Sequence, residues 1–266
     1  MTSLQARDLK FGFDSRLIID GIEIELVSGE VVALVGANGA GKTTLLQLLS
    51  RHLNPGSGTV SFNENDIVEW SRRTLSQRIA LMPQFENRDS SLRVIDVVSL
   101  GRMPHCGWWL PMLLVDHQRV DEAIQAAGLD ALRERKIDAL SGGEWRRMIL
   151  ARSLAQDASV LLLDEPIAGL DLKYQVEVLD HVRRMTKQKN LVTVITLHDL
   201  NMAASFADRI AVLHQGRLIA DGPTVDVLQP ELIELAFGIA VEVIKHPTNG
   251  TPLVLLCSNP SSAFAR

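Results

Sequence analysis

The sequence has little of what disulfide-bonded or membrane-spanning proteins need. Its two cysteines, Cys106 and Cys257, lie far apart and form no C-x-x-C pair, so we expect a reduced compartment and no cysteine metal site. The longest apolar patch, residues 106–115, is interrupted by Gly107 and Pro111. It falls short of the roughly 18 residues that a membrane span needs. The N-terminus predicts no signal peptide, because charged residues precede any apolar run.

Positive charge is also scarce. The 266 residues include 27 lysines and arginines against 32 acidic residues, a formal net charge of -5. A general nucleic-acid binder is basic on at least one face, so we expect no nucleic-acid partner. The length suffices for one large α/β domain with a substantial core.

The strongest motif is the stretch 36–44, which matches G-x-x-x-x-G-K-[ST]. Residues 30–35 before it predict a buried parallel strand, and residues 45–50 after it predict a helix. In such a turn the backbone N–H groups converge on phosphate oxygens, and the helix dipole adds positive potential. We predict a nucleoside triphosphate site, with Lys42 at the β- and γ-phosphates and the Thr43 hydroxyl on Mg²⁺. The predicted nucleotide contacts in this loop are Gly36, Asn38, Gly39, Ala40, Gly41, Lys42, Thr43 and Thr44.

Polar side chains follow three other predicted core strands. Asp164 and Glu165 end a continuous apolar run, at the strand end where ligands bind in open α/β sheets. Asp164 is the expected Mg²⁺ carboxylate, and Glu165 the group that polarises the attacking water. His198 ends another strand and is placed to contact the γ-phosphate. Gln84 follows a third strand, and its amide is suited to contacting Mg²⁺ or orienting water.

The segment 4–27 alternates apolar and polar residues in two pieces, which predicts antiparallel strands with one face in water. Phe11 and Phe13 lie at the turn between these pieces. Two interpretations of Phe13 stay open: it stacks on the adenine base, or it is a half-buried strand residue. For Phe11 the structural interpretation is favoured.

Residues 86–140 show no strand alternation. Helical spacing over 94–100 and 116–127 predicts a helical insertion in the α/β core. The tryptophan-rich stretch 108–114 belongs either to the core of this insertion or to an exposed surface that docks a partner.

A second anion site is predicted where the insertion ends. Ser141 is a good N-cap for a helix over 145–155, and Glu144 completes a capping box with it. Gly142 and Gly143 leave N–H groups open at this helix start.

In their order along the chain, these motifs resemble the nucleotide-binding subunit of an ABC transporter. They are the phosphate loop (36–43), the glutamine loop at Gln84, the signature (140–144), the Walker B strand ending at Asp164 with Glu165 beside it, the D-loop (168–171) and the switch histidine His198. The resemblance implies that Phe13 is the base-stacking aromatic. The D-loop departs from the family pattern, since Ala168-Gly169 replaces the common Ser-Ala and Ile167 replaces a threonine. These changes touch no phosphate or metal ligand but could alter communication across a dimer.

The resemblance covers nearly the whole chain and implies its architecture. We expect an α/β P-loop NTPase (RecA-like) core with an N-terminal antiparallel β-subdomain and an inserted α-helical subdomain. Residues 1–85 and 156–245 form the core, and residues 86–155 form the helical subdomain with the signature. Proline and Asn-Gly content predicts that the tail, residues 246–266, is loop-rich and partly disordered.

The resemblance also implies an assembly. Family members work as head-to-tail homodimers in which each ATP lies between the phosphate loop of one chain and the signature of the other. Ser141, Gly142, Gly143 and Asp171 would contact the partner's nucleotide, while Thr43, Gln84 and Asp164 would hold Mg²⁺. The implied partners are integral-membrane permease subunits and, indirectly, a substrate-binding protein. The implied location is the cytoplasmic face of the cell membrane.

A narrower likeness concerns cargo. The stretches 100–104, 170–179, 197–203 and 236–244 are similar to the ATPases of metal-chelate importers, which take up ferric siderophores, haem or cobalamin. In that group the ATPase does not touch the cargo, so no residue here identifies it.

Three other functions compete with this one. An ABC exporter subunit, or an importer of another substrate, remains the main alternative. A soluble ABC ATPase of DNA repair or translation is disfavoured, because the sequence has no internal repeat, heptad stretch or basic tail. A module that binds ATP without hydrolysis is disfavoured by the presence of both Glu165 and His198.

Overall fold

The structure, a computed structural model, describes residues 2–14, 16–84, 91–106 and 111–257. The strands are β1 (Ser3–Phe13), β2 (Arg16–Val27), β3 (Glu30–Val35), β4 (Ser57–Phe62), β5 (Asn65–Asp66), β6 (Ile79–Met82), β7 (Val160–Leu163), β8 (Val192–Thr196), β9 (Arg209–His214), β10 (Arg217–Pro223), β11 (Val241–Lys245) and β12 (Pro252–Leu256). The α-helices are α1 (Lys42–Leu49), α2 (Arg72–Ser76), α3 (Val94–Ser99), α4 (Met103–Cys106), α5 (Leu114–Ala126), α6 (Gly142–Ala155), α7 (Leu172–Lys189), α8 (Leu200–Phe206), α9 (Thr224–Val227) and α10 (Pro230–Phe237). None of these helices is long and apolar enough to cross a bilayer.

The central sheet has the strand order β10-β9-β3-β8-β7-β6. All neighbouring strands in it run parallel except β10, which pairs antiparallel with β9. Strands β3, β7 and β8 are almost wholly buried because both faces of the sheet are covered. Their carboxyl ends meet at one edge, which brings the phosphate loop, Asp164 and His198 to the same place. This is the predicted core.

A second, antiparallel sheet has the order β2-β1-β4-β5. Alternate residues of β2, such as Ile22, Ile24 and Leu26, are buried against a cluster that includes Leu45 and Leu46 of α1. Helix α1 is therefore enclosed between the two sheets, which holds the phosphate loop in place. The predicted N-terminal strands are confirmed.

The helical insertion contains α3, α5 and α6, packed around side chains such as Val98, Ile124 and Met148. The helices predicted over 94–100 and 116–127 are confirmed to within two residues. Of the apolar stretch 108–114, residues 108–110 lie outside the described residues. Leu113 and Leu114 are 66% and 84% exposed, so the described end of the stretch lies at the surface.

The prediction of a loop-rich tail is wrong for residues 252–256, which form β12 and pair antiparallel with β11. The turn between the two strands contains Asn249-Gly250, an established hairpin signal. The Asn201 side chain of α8 also binds both backbone groups of Val254, at 2.7 and 3.1 Å. These tertiary contacts order a strand that its own sequence leaves ambiguous.

Candidate nucleotide site

The phosphate loop lies between the end of β3 and the start of α1. A Cβ atom at Gly36 would lie 2.2 Å from the Leu213 carbonyl oxygen, so only glycine fits against β9 there. Gly41 has a φ of 107°, and a Cβ there would lie 2.9 Å from the Ile19 side chain. The loop is thus pressed against the strands behind it, while its other side is free to accept a ligand at Gly39, which has open space around it.

Lys42 is the first residue of α1, and its side chain points back into the loop. Its Nζ donates to the carbonyl oxygens of Gly36 (2.7 Å) and Ala37 (3.1 Å). Burial lowers the pKa of Lys42, against the attraction of Glu165 and Asp164, which raises it. The ammonium group therefore lies in the field of Glu165, the predicted catalytic carboxylate, and of Asp164, the predicted Mg²⁺ carboxylate.

Asp164 is 2% exposed and sits directly after β7. Its Oδ1 accepts a 2.8 Å hydrogen bond from the Thr196 hydroxyl. Its Oδ2 is buried and has no hydrogen-bond partner among the described residues. A buried carboxylate oxygen without a partner is costly unless it meets a cation. A carboxylate together with the predicted Thr43 hydroxyl and Gln84 amide makes a set of hard oxygen donors, which fits Mg²⁺.

The backbone of Glu165 has a φ of 50°, a left-handed conformation that is uncommon for residues other than glycine. Its N–H donates to the Thr196 hydroxyl at 2.7 Å. One buried hydroxyl on β8 thus holds the Asp164 carboxylate and the Glu165 backbone together. The sequence reasoning missed Thr196. The available signal was a hydroxyl at the end of an apolar strand, two residues before His198.

The Glu165 carboxylate meets two other predicted residues. Its Oε1 lies 2.7 Å from His198 Nε2, and the Gln84 side chain also hydrogen-bonds to it. Burial acts to raise the pKa of Glu165, but the hydrogen bonds from His198 and Gln84, with the charges of His198 and Lys42, outweigh it and lower the pKa. Glu165 is therefore ionised at neutral pH, the state in which a carboxylate can accept a proton.

The sequence model of the ABC transporter family matches residues 19–168 of the 266. The chain belongs to the ABC transporter family. It is 38% identical to the achromobactin transport ATP-binding protein CbrD of Dickeya dadantii, over 96% of this chain and 95% of that one. It is 40% identical to the hemin import ATP-binding protein HmuV of Thermobifida fusca, over 95% of this chain and 88% of that one.

Among solved structures, an inward-facing metal-chelate type ABC transporter superposes with a TM-score of 0.82. The two chains are 25% identical, and the alignment covers 97% of each. The predicted fold class, a P-loop NTPase core with an antiparallel β-subdomain and a helical subdomain, is confirmed by this match.

The signature of this ABC transporter chain begins α6. Ser141 is the N-cap, its Oγ accepts from the Glu144 N–H, and Glu144 accepts from the Ser141 N–H at 2.8 Å. The capping box predicted for this helix is confirmed. Because the Ser141 N–H is already paired, Gly142 and Gly143 are the backbone donors that remain at this helix start.

The D-loop contacts Glu165 directly, because the Ala168 N–H donates to the Glu165 carbonyl oxygen at 3.1 Å. A Cβ at Gly143 would lie 3.2 Å from the Leu170 side chain, so the signature packs against the D-loop. Asp171 caps α7 by accepting from the Tyr174 N–H. Phe13 is 55% exposed at the end of β1, edge-on to Phe11 at 4.9 Å between ring centroids. The nucleotide roles of Asp171 and Phe13 stay predictions.

Proposed function

We propose that this chain is the ATP-hydrolysing subunit of an ABC importer that takes up a metal chelate. The observation that carries hydrolysis is the Glu165 carboxylate, ionised and in contact with His198 at the end of a strand beside the phosphate loop. The importer assignment is supported by the relatives named for achromobactin transport and hemin import. The cargo would be a ferric siderophore, haem or cobalamin, carried by membrane subunits that this chain drives.

ATP binding would begin at the phosphate loop. The Lys42 ammonium would exchange the Gly36 and Ala37 carbonyl oxygens for phosphate oxygens, which are stronger acceptors. Mg²⁺, when bound, would offset phosphate charge, and Thr43, Gln84 and Asp164 are the residues that would hold it. The Phe13 ring would stack on the base.

Hydrolysis would follow from the position of Glu165. Its carboxylate would accept a proton from the water that attacks the γ-phosphate in line. His198, now bonded to the free carboxylate, would contact the γ-phosphate once ATP is present. Gln84 would orient the same water through its amide. A module that only binds nucleotide has no use for an ionised carboxylate held in this way.

The dimer would complete each site. Gly142 and Gly143 N–H groups and the Ser141 hydroxyl of one chain would meet the γ-phosphate bound by the other, with Asp171 across the same interface. Permease subunits would dock near Gln84 and the helical subdomain, where Leu113 and Leu114 are exposed. The dimer would then work at the cytoplasmic face of the cell membrane, and a binding protein would deliver the cargo to the permease from the opposite face.

Uptake in cells tests the function. A strain lacking this chain is expected to lose uptake of labelled ferric siderophore, haem or cobalamin, and the wild-type chain should restore it. The Glu165→Gln variant should not restore uptake, because transport needs hydrolysis. If the strain takes up all three cargoes normally but loses export of some compound, the chain belongs to an exporter and the importer proposal is wrong.

Removing the Thr196 hydroxyl should impair the site and destabilise the fold. Thr196→Val keeps the side-chain shape but leaves Asp164 Oδ1 and the Glu165 N–H unpaired, at about 1–3 kcal/mol per buried group. We expect a lower melting temperature and an ATPase rate reduced about tenfold or more. Thermal unfolding and steady-state phosphate release measure the two effects.

Thr193→Val is the matched control for this prediction. Thr193 lies on the same strand and is equally buried, and its hydroxyl contacts the Thr186 hydroxyl at 2.7 Å, away from the acids. Its ATPase rate should stay within about twofold of wild type. Equal losses of rate in the two valine variants would show that Thr196 serves stability alone.

A further inference from the structure

Arg146 lies on α6, the helix that begins with the signature, and is only 7% exposed. Its guanidinium donates hydrogen bonds to a group of main-chain oxygens. Nη1 donates to the carbonyl oxygens of Pro83 (3.1 Å) and Gln84 (2.6 Å). Nε and Nη2 donate to the Glu165 carbonyl oxygen at 2.9 and 2.6 Å, and Nη2 also donates to that of Asp164.

These bonds join three parts of the molecule through one ion. Arg146 belongs to the helical subdomain, the Gln84 carbonyl to the glutamine loop, and the Asp164 and Glu165 carbonyls to the end of β7. A guanidinium is planar and presents its donors in a fixed fork, so the acceptors must keep a fixed geometry around it. Any movement of α6 relative to the core must therefore either shift these carbonyls or break charge-assisted hydrogen bonds.

The contact bears directly on the geometry of Glu165. This residue has a left-handed backbone with a φ of 50°. On one side of the residue its N–H donates to Thr196, and on the other its carbonyl oxygen accepts from Arg146 and from the Ala168 N–H at 3.1 Å. An uncommon backbone conformation of this kind persists only where its surroundings determine it. The direction of the Glu165 side chain thus depends on these contacts, of which those of Thr196 and Arg146 come from other elements of the fold.

We propose that Arg146 is a positioning residue that couples the orientation of the signature helix to the placement of Glu165 and Gln84 within the same chain. This inference rests on the proposed ATPase function. When α6 takes the position that presents Gly142 and Gly143 to the partner's nucleotide, Arg146 holds the Glu165 backbone so that its carboxylate can activate water at the nucleotide bound by the same chain. A displaced α6 withdraws that support, so hydrolysis slows until the helical subdomain is in place.

The neighbouring residue offers a matched control. Arg147 lies on the same helix and is also 7% exposed. Its Nη1 donates to the carbonyl oxygens of Ala127 (3.1 Å) and Gly128 (2.9 Å), both within the helical subdomain. Its guanidinium carbon also lies 4.2 Å from the Tyr174 ring centroid. Arg147 therefore matches Arg146 in charge and burial, but the contacts given for it lie within the helical subdomain and on Tyr174, and include neither the glutamine loop nor Glu165.

The experiment compares Arg146→Lys and Arg146→Gln with Arg147→Lys. Lysine keeps the charge but cannot span four carbonyls, so we expect kcat to fall about tenfold in Arg146→Lys and up to about 10²-fold in Arg146→Gln. The Kd for a fluorescent ATP analogue should change less than about threefold in both, because the phosphate loop is untouched. Arg147→Lys should keep kcat within about threefold of wild type.

Three results would overturn the role proposed for Arg146. If both Arg146 variants keep a kcat near that of wild type, the inference is overturned. It is also overturned if both variants lose kcat but lose ATP affinity, or folded protein, to the same extent. A similar loss in Arg147→Lys also overturns it, since burial of charge in α6 would then be the cause. If the wild-type chain itself fails to hydrolyse ATP, the proposed function fails instead.

Discussion

The Glu165→Gln variant should bind ATP and lose its hydrolysis by about 10²–10⁴-fold, the effect expected for a lost general base. Glutamine has the same shape and can still contact His198, but an amide cannot take a proton from water. Since the phosphate loop and the signature are unchanged, ATP should still draw two chains together. The variant should therefore accumulate as an ATP-bound dimer in the presence of Mg²⁺.

Light scattering with ATP and Mg²⁺, beside steady-state phosphate release, measures both parts of this result. Glu234→Gln is the control, because Glu234 is an exposed carboxylate on α10 and its loss should leave the rate unchanged. Hydrolysis by Glu165→Gln at the wild-type rate would remove Glu165 from the mechanism. If both proteins remain monomeric while only the variant loses hydrolysis, Glu165 is still supported as the general base. That result would, however, contradict the prediction that ATP makes the isolated chain dimerise.

The Lys42→Met variant should lose ATP binding itself. Methionine fills much of the same volume, but it supplies no charge to the phosphates and no donor to the Gly36 and Ala37 carbonyl oxygens. Charge-assisted bonds to phosphate are among the strongest that a side chain makes, so we expect affinity to fall about 10–100-fold. Hydrolysis at subsaturating ATP should fall by at least the same factor.

Equilibrium titration with a fluorescent ATP analogue measures this loss. Lys245→Met serves as control, since Lys245 is an exposed residue at the end of β11 and should not alter binding. Loss of binding in Lys42→Met with an unchanged melting temperature would assign the effect to phosphate recognition. Wild-type affinity in Lys42→Met would contradict the proposed nucleotide site.

The two variants also separate steps that a single activity assay merges. Glu165→Gln removes a proton acceptor and spares binding, whereas Lys42→Met removes binding and spares the acceptor. Thr196→Val and Arg146→Lys act between these limits, because they leave every proposed ligand of ATP in place and disturb how Glu165, Asp164 and, for Arg146, Gln84 are held. A graded series of rate and affinity changes is therefore expected across the four variants.

The amino-acid sequence by itself is enough to predict the fold class and the residues expected to contact the nucleotide. The phosphate loop is a local motif between a predicted strand and a predicted helix, and parallel strands bring their carboxyl ends to one edge of a sheet. Asp164, Glu165 and His198 follow such strands, so the sequence predicts that they converge on the loop. The capping box at Ser141 and Glu144 is local for the same reason.

Only the tertiary structure decided what holds these residues. Thr196 and Arg146 are distant in sequence from the atoms that they bind, 31 residues from Glu165 in one case and 62 from Gln84 in the other. No spacing rule predicts such contacts, because they depend on how β8 and α6 pack against β7. Strand β12 is ordered in the same way, by Asn201 and β11 rather than by its own composition. Local motifs thus predict which groups meet the nucleotide, while long-range packing sets how those groups are held.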